Sequence, residues 1–561
     1  MTVASRRREK DDRHTVPVAH AALLQQLRGI DIARSAAVED SPLLSEWRAS
    51  GVAFASSSAV TETQYYRAVR ELFSCIRPAS GNTPILNEGG IYLGCWLEST
   101  GTINTELLSR FLPSIAARTF ESFARHQRAD GLLPYKITAT GPAFSQIQTV
   151  TPLARSVWNH YLLNGRDREF LRTLYAAMVR NDAWIAQFRD TRKTGGVEAF
   201  CCYDTGHDLS PRFWHMPDSP SGNDPKVYDT NNPLLPLVAP DLTANIACQR
   251  RYLARIAEEL DEDGEIWRDK AQRSEAALLD CCYDDEDGFF YDLDNNQQFI
   301  RVQSDVLLRV LACEIGDDTQ FEAALQNYLL NTRKFFAKFP FTSIALDDPR
   351  YDPDYRRNSW AGPSNFLSLI RAPHAFEHHH RHVELSWVLN SSLHALFRAE
   401  RFAQTMDPFT GSEGFTEAYS PSILCLLDFT ERLSGILPRP DGTLWFTGLV
   451  PRPVDHRDQM FETAYGRTID GRHFEFVNAA GESTGFRDGE MLFQCPMGVR
   501  IVTSRDGRLR GITGMTVQPI AGSLHFDGND YPFQIAANEQ LDLEGGELVR
   551  VRNPGLVPPS T

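Results

Sequence analysis

From about residue 60 to 435, apolar side chains recur at steps of three and four, the period of helices that bury one face. The pattern is strongest over 104–127, 152–163, 167–188, 242–260, 264–282, 301–315, 318–333, 376–399 and 420–435, and weaker over 62–77 and 362–371. Thr151-Pro152 and Ala239-Pro240-Asp241 open two segments with helix-start chemistry, and Gly165 and Gly316 follow others as stops. About a dozen paired helices are too many for a four-helix bundle and lack the fixed short period of a solenoid. The first 58 residues mix charge, Ala and Ser around one helix-like stretch near 19–29 and are expected to form a loosely attached lead-in. At 437 the texture changes: "LPRPDGTLWFTGLVPRP" is followed by short alternating runs such as "RHFEFV" and "SLHFDG". In "GVRIVTSRDGRLRGIT" the pair Asp506-Gly507 supplies the backbone angles of a tight hairpin. The expected division is therefore 1–58 lead-in, 59–436 helical domain and 437–561 β-rich, sandwich-like domain, the last a structural cap or oligomer contact.

Composition narrows the partners. With 561 residues and a formal net charge of -16, the chain repels polyanions, and its one basic run, Arg6-Arg7-Arg8, is followed at once by acids. Nucleic acid is not expected as a partner. No apolar run approaches the roughly 20 residues that cross a bilayer, and no apolar stretch follows the basic start as in a secretory signal. The expectation is a cytoplasmic protein without a membrane partner; the oligomeric state stays open. Ten cysteines without a C-x-x-C pair read as reduced core thiols. His374, His378 and His382 fall at helical steps of four but read as a polar helix face, and "YDDEDGFFYD" lacks calcium-loop spacing and reads as an acidic turn. No metal or cofactor is expected.

The candidate chemistry sits in "CCYDTGHDLSPR", residues 201–212, where two aspartates flank Gly206 and His207 ahead of Ser210-Pro211. Gly206 permits unusual backbone angles and Pro211 disfavours helix before it, so the segment is a shaped loop carrying carboxylates. Asp and Ser are also ordinary turn and cap residues. Four further stretches accompany it: "TPLARSVWNHYLLNGRDREFLRTLYAAMVRNDAWI", "APDLTANIACQRRYLARIAEEL", "RRNSWAGPSNFL" and "MDPFTGSEGF".

Taken in register over roughly residues 85–435, these five stretches resemble the (α/α)6-barrel glycoside hydrolases of the clan containing processing α-glucosidase I, trehalase and mannosylglycerate hydrolase. The resemblance implies a mainly α protein, an (α/α)6 toroid, that cleaves a small α-linked glucoside or mannoside. It places Asp208 at the general acid, with a second carboxylate needed to activate water. The family's glutamate, four residues before the proline of its Asn-Pro-x-Thr-Gly turn, is replaced here by Gln404, four before Pro408. A carboxamide positions water but does not take its proton. Glu413 or Glu417 takes the role, the register differs, or hydrolysis by this route is lost and a sugar-binding or regulatory protein remains. Glu413, between Gly411 and Gly414, is the first choice, with a solvated turn acid as the alternative. Trp360, Gly362 and Pro363 read as a sugar platform or as core packing. Gln148 and Arg212 read as contacts to sugar hydroxyls or as structural groups. Glu98 lies where trehalase-like relatives carry a Trp-Asp pair. A different sugar reaction, such as epimerisation, would need a histidine pair in the barrel mouth, drawn from His160, His207 or His215.

Overall fold

The computed structural model describes residues 17–451 and 461–561. Arg6-Arg7-Arg8 lies outside the described residues.

Burial separates two kinds of helix. In Pro240–Glu259 sixteen residues are buried, and in Ser420–Ser434 all of them are, as for helices enclosed on every side. Arg168–Phe188 and Glu265–Cys282 bury a single stripe and lie outside their neighbours Leu153–Leu163 and Pro240–Glu259. The enclosed helices start at one end of the region. Leu153, Pro240, Val306 and Ser420 follow the loops that carry Gln148, Ala239, Asp305 and Tyr419. That end holds the candidate site, and the other end faces residues 437–441.

Two expected helices are broken. The 104–127 segment divides into Thr105–Leu108 and Pro113–Arg125, because Pro113 opens a new helix. The 376–399 segment divides into Ala372–His378 and His382–Arg398 at His380, whose φ of +56° is left-handed. The three histidines therefore share no helical face: His374 reaches Glu106 at 3.1 Å, whereas His382 takes an Arg500 N–H at 3.1 Å. Among the described residues no group of three or more His, Cys, Asp or Glu is arranged to hold a metal ion. The "YDDEDGFFYD" turn joins strands Tyr283–Asp284 and Phe289–Phe290, with Gly288 at φ +64°. All ten cysteines are free thiols, and all except half-buried Cys281 are buried.

Beyond Ser434 two antiparallel sheets of seven and six strands pack face to face. Phe446 of the smaller sheet meets Phe474, Phe476 and Phe493 of the larger at 5.3–5.9 Å between rings. The hairpin expected at Asp506-Gly507 is formed by strands Val499–Ser504 and Leu509–Gly514. The seven-stranded sheet takes its edge strand, Ala53–Ser56, from the N-terminal segment, paired with Thr463–Ile469. Helix Val18–Arg28 lays Leu23, Leu24 and Leu27 on the same sheet, and Trp47 is fully buried against Phe111 at 5.4 Å. The described part of the lead-in is thus built into the fold rather than loosely attached. Its exposed Ala, Ser and charged residues dilute a few large buried ones. No helix among the described residues is long and apolar enough to cross a membrane.

Candidate active site

The two aspartates of the 201–212 loop do different work. Asp204 is buried and accepts Arg189 Nη1 at 2.6 Å and Nη2 at 3.2 Å, together with the backbone N–H groups of Ile147 and Phe200. It ties the loop to the end of helix Arg168–Phe188 and to the segment carrying Gln148. Gly206, at φ +69°, brings the backbone against Glu98 so closely that a Cβ there would run into the Glu98 carboxyl. Arg309 holds the turn from below through the Thr205 carbonyl at 2.7 Å. The chain then presents Asp208, partly open, with Asn358 Nδ2 donating to Oδ2 at 2.6 Å.

Desolvation dominates the electrostatics. Burial pushes the Asp208 carboxyl up to about 7 against the opposing Asn358 hydrogen bond, and pushes Glu98 up to about 8 although Arg309 and Arg371 favour its charge. The charge of Asp208 is among those that raise Glu98, so the two carboxyls interact. Glu88, held by Tyr419 at 2.7 Å and Ser99 at 3.1 Å, is raised by the same burial. Tyr92, whose hydroxyl proton is held by burial and by the charges of Asp208, Glu88 and Glu98, joins this group. Its ring meets Trp96, Phe415 and Tyr419 at 5.6–6.4 Å. Leu209 and Trp214, each 56% exposed, extend the loop's apolar side.

Of the remaining expected site residues, Gln404 and Gln148 lie at this end. Gln404 is buried, with Oε1 accepting the Tyr92 hydroxyl at 3.0 Å. Gln148, at φ +45°, donates to Gln146 at 3.3 Å and leaves its own buried Oε1 without a partner. Arg212 has no donor left for a sugar: all its N–H groups go to Asp241, Asp292 and His207 at 2.7–3.1 Å. Trp360 is 1% exposed, packed between His207 at 4.6 Å and the Arg309 guanidinium at 4.8 Å, so it offers no open platform. Gly362 is a packing glycine, since a Cβ would collide with the Asp352 carbonyl. Glu413 points elsewhere. Its Oε1 accepts the Glu400 N–H at 3.3 Å, and its charge acts on Arg67. Exposed Glu417 acts on Glu71 of the same helix, Ala59–Cys75. Neither is brought to Asp208. His207 is fully buried, held neutral down to about pH 3 by burial and Arg309, while His160 is buried against Phe120 and Phe170 and His215 is exposed. No histidine pair forms there.

Sequence reasoning missed Tyr92, Asn358, Arg309 and Arg371. Asn358, two residues before Trp360 in "RRNSWAGPSNFL", lay inside a stretch already singled out; the other three carried no local signal.

The family model for the mannosylglycerate hydrolase MGH1-like glycoside hydrolase domain matches residues 92–422, more than half of the chain. The structure is similar to that of the GH63 mannosylglycerate hydrolase of Thermus thermophilus solved with Tris, at 20% identity and a TM-score of 0.57, covering 65% of this chain and 100% of that one. The same hydrolase solved with glucose matches at 18% identity and 0.54, covering 65% and 99%. A sialidase matches at 14% identity and 0.57, covering 84% of this chain and 44% of that one. At these identities the structural likeness establishes the fold. Comparison with curated proteins returns no match.

Proposed function

The chain belongs to the mannosylglycerate hydrolase MGH1-like glycoside hydrolase family, and on that footing we propose that it cleaves a small α-linked glucoside or mannoside with inversion, Asp208 being the proton donor. The reading takes the helical region as a six-hairpin toroid and the enzyme as cytoplasmic, acting on a soluble glycoside. The observation that carries it is the Asp208 carboxyl, which keeps its proton to about pH 7 and so can protonate a leaving oxygen near neutrality. Inversion requires a second carboxylate, roughly 6.5–9.5 Å from the first, to activate water from the opposite face. Glu413 and Glu417 being remote, that role falls to Glu98, the acid that feels the charge of Asp208. Protonated Asp208 and ionised Glu98 are then the reacting pair, a minority state when the donor's value lies below the base's.

A second reading, sugar binding without turnover, is favoured by Gln404: beside Tyr92 stands a carboxamide where hydrolysis calls for a base. Incubation with a panel of α-glucosides and α-mannosides, with the product anomer read by NMR, tests the first. Release of a β-configured sugar supports inversion. Calorimetric sugar binding with no product across the panel replaces it by the second.

A further inference from the structure

We propose that the end of the helical region opposite Asp208 is a second binding site, for a small phosphorylated sugar or polyol. A cavity of about 390 Å³ opens there between one side of helix Leu153–Leu163 and the C-terminal halves of Pro240–Glu259 and Ser420–Ser434, with residues 437–441 along its edge. It is separate from the Asp208 loop. Asp241, which binds Arg212 under the Asp208 loop, and Arg255, which lines the cavity, stand on one helix fourteen residues, or about 21 Å, apart.

The carboxylates lining the cavity are already partnered. Glu106 accepts Ser156 and Asn159 at 2.8 Å and faces His374 at 3.1 Å. Glu314 accepts the Tyr252 hydroxyl at 2.7 Å, and Glu377 pairs with Arg432 and Arg439. The cationic side keeps spare donors. Arg155 is 2% exposed, gives Nη1 to the Ala312 carbonyl at 2.5 Å and stands 3.6 Å from Glu314, but its Nε has no partner; nor does the buried Nε of Arg439. Arg255 lies over the Tyr252 ring at 4.5 Å and makes no ion pair among the described residues. An unpaired buried donor costs about 1–3 kcal/mol, and guanidinium groups meet phosphate oxygens two at a time. Half-buried Trp158 supplies an aromatic wall and Asp441 an acceptor, the pair of surfaces a hydroxylated ring requires. The anionic head therefore sits among the arginines and the hydroxylated body against Trp158.

Isothermal titration of the full chain with glucose 6-phosphate tests this. One saturable event is expected, weakened at least tenfold in Arg255→Glu, kept within threefold in Arg255→Lys and unchanged in Asp208→Asn. Arg255 is exposed, so circular dichroism of the variants should match the parent. Absence of saturable binding, an affinity indifferent to Arg255→Glu, or binding lost in Asp208→Asn would each overturn the proposal, the last by moving the ligand to the Asp208 loop.

Discussion

Asp208→Asn should make the protein more stable and less active, and the gain in stability should depend on pH. The exchange removes a charge but keeps an oxygen that can accept the Asn358 amide, now at 2.6 Å. The Asp208 carboxyl is moved from 3.8 to about 7, chiefly by loss of water around it. About three units at 1.36 kcal/mol each give a ceiling of about 4 kcal/mol. Because the group keeps partial contact with solvent, about 2–4 kcal/mol is expected. The sign follows from linkage. An unfolded chain releases this proton near pH 3.8 whereas the folded one keeps it to about 7, so the carboxyl's contribution to stability is full below 3.8 and lost as pH rises to about 7. The asparagine variant escapes that loss. Guanidinium unfolding followed by tryptophan fluorescence should show parent and variant alike at pH 4 and the variant ahead at pH 8, with turnover about 10²–10⁴-fold lower. A stability difference that is the same at pH 4 and pH 8, or turnover within tenfold of the parent, would refute the account of Asp208 as a desolvated proton donor.

Asp204→Ala leaves the fully buried Arg189 without its carboxylate and should lower stability by about 3–5 kcal/mol in denaturant titration; an unchanged midpoint would show that the loop is anchored elsewhere. Gly206→Ala, at φ +69° and against the Glu98 carboxyl, should cost about 1–3 kcal/mol and lower kcat, read by scanning calorimetry and initial rates. The rate should peak near pH 7.5 in a narrow bell, about 1.7 units wide at half height, and a plateau extending to pH 5 would remove Glu98 from the mechanism. Gln404→Glu places a carboxylate beside the Tyr92 hydroxyl and should raise hydrolysis at least tenfold; no gain would mean that position 404 does not face the attacking water.

Where the chain's physics is local, the sequence was legible. Helices Arg168–Phe188 and Glu265–Cys282 have one apolar stripe each, and the Asp506-Gly507 hairpin declares its own turn. Breaks and distant partners were not. A left-handed His380 leaves no mark on periodicity, and Ala53–Ser56 finds its strand partner about 400 residues away. The site divides in the same way. Loop 201–212 could be recognised as a carrier of carboxylates, but nothing local tells that Asp204 meets Arg189 while Asp208 stays open. Arg212 and Trp360 stood open between sugar contacts and structural groups, because their type fits either. They are consumed by Asp241, Asp292, His207 and Arg309, which come from other turns of the fold.

That consumption accounts for the proton affinity of the site. Arg212 is committed to Asp241 and Asp292. Arg309 divides its donors among the Thr205 carbonyl at 2.7 Å, Asp241 at 3.4 Å and Glu98 at 3.5 Å. His207 cannot add a charge near neutrality, and Asp305 beside it is held low by His207, Arg309 and Ser368. Arg212 and part of Arg309 are thus committed to Asp241 and Asp292, which shape this end. Arg309 and Arg371 still favour the charged form of Glu98, but burial outweighs them there, and burial raises Glu88 and Asp208 as well. On the proposed reading, such an arrangement would keep a proton ready for a departing alcohol at the expense of an ionised base. Glu98 rests on the backbone of Gly206, two residues before Asp208, so a sugar that displaced the loop would change the environment of both carboxyls together.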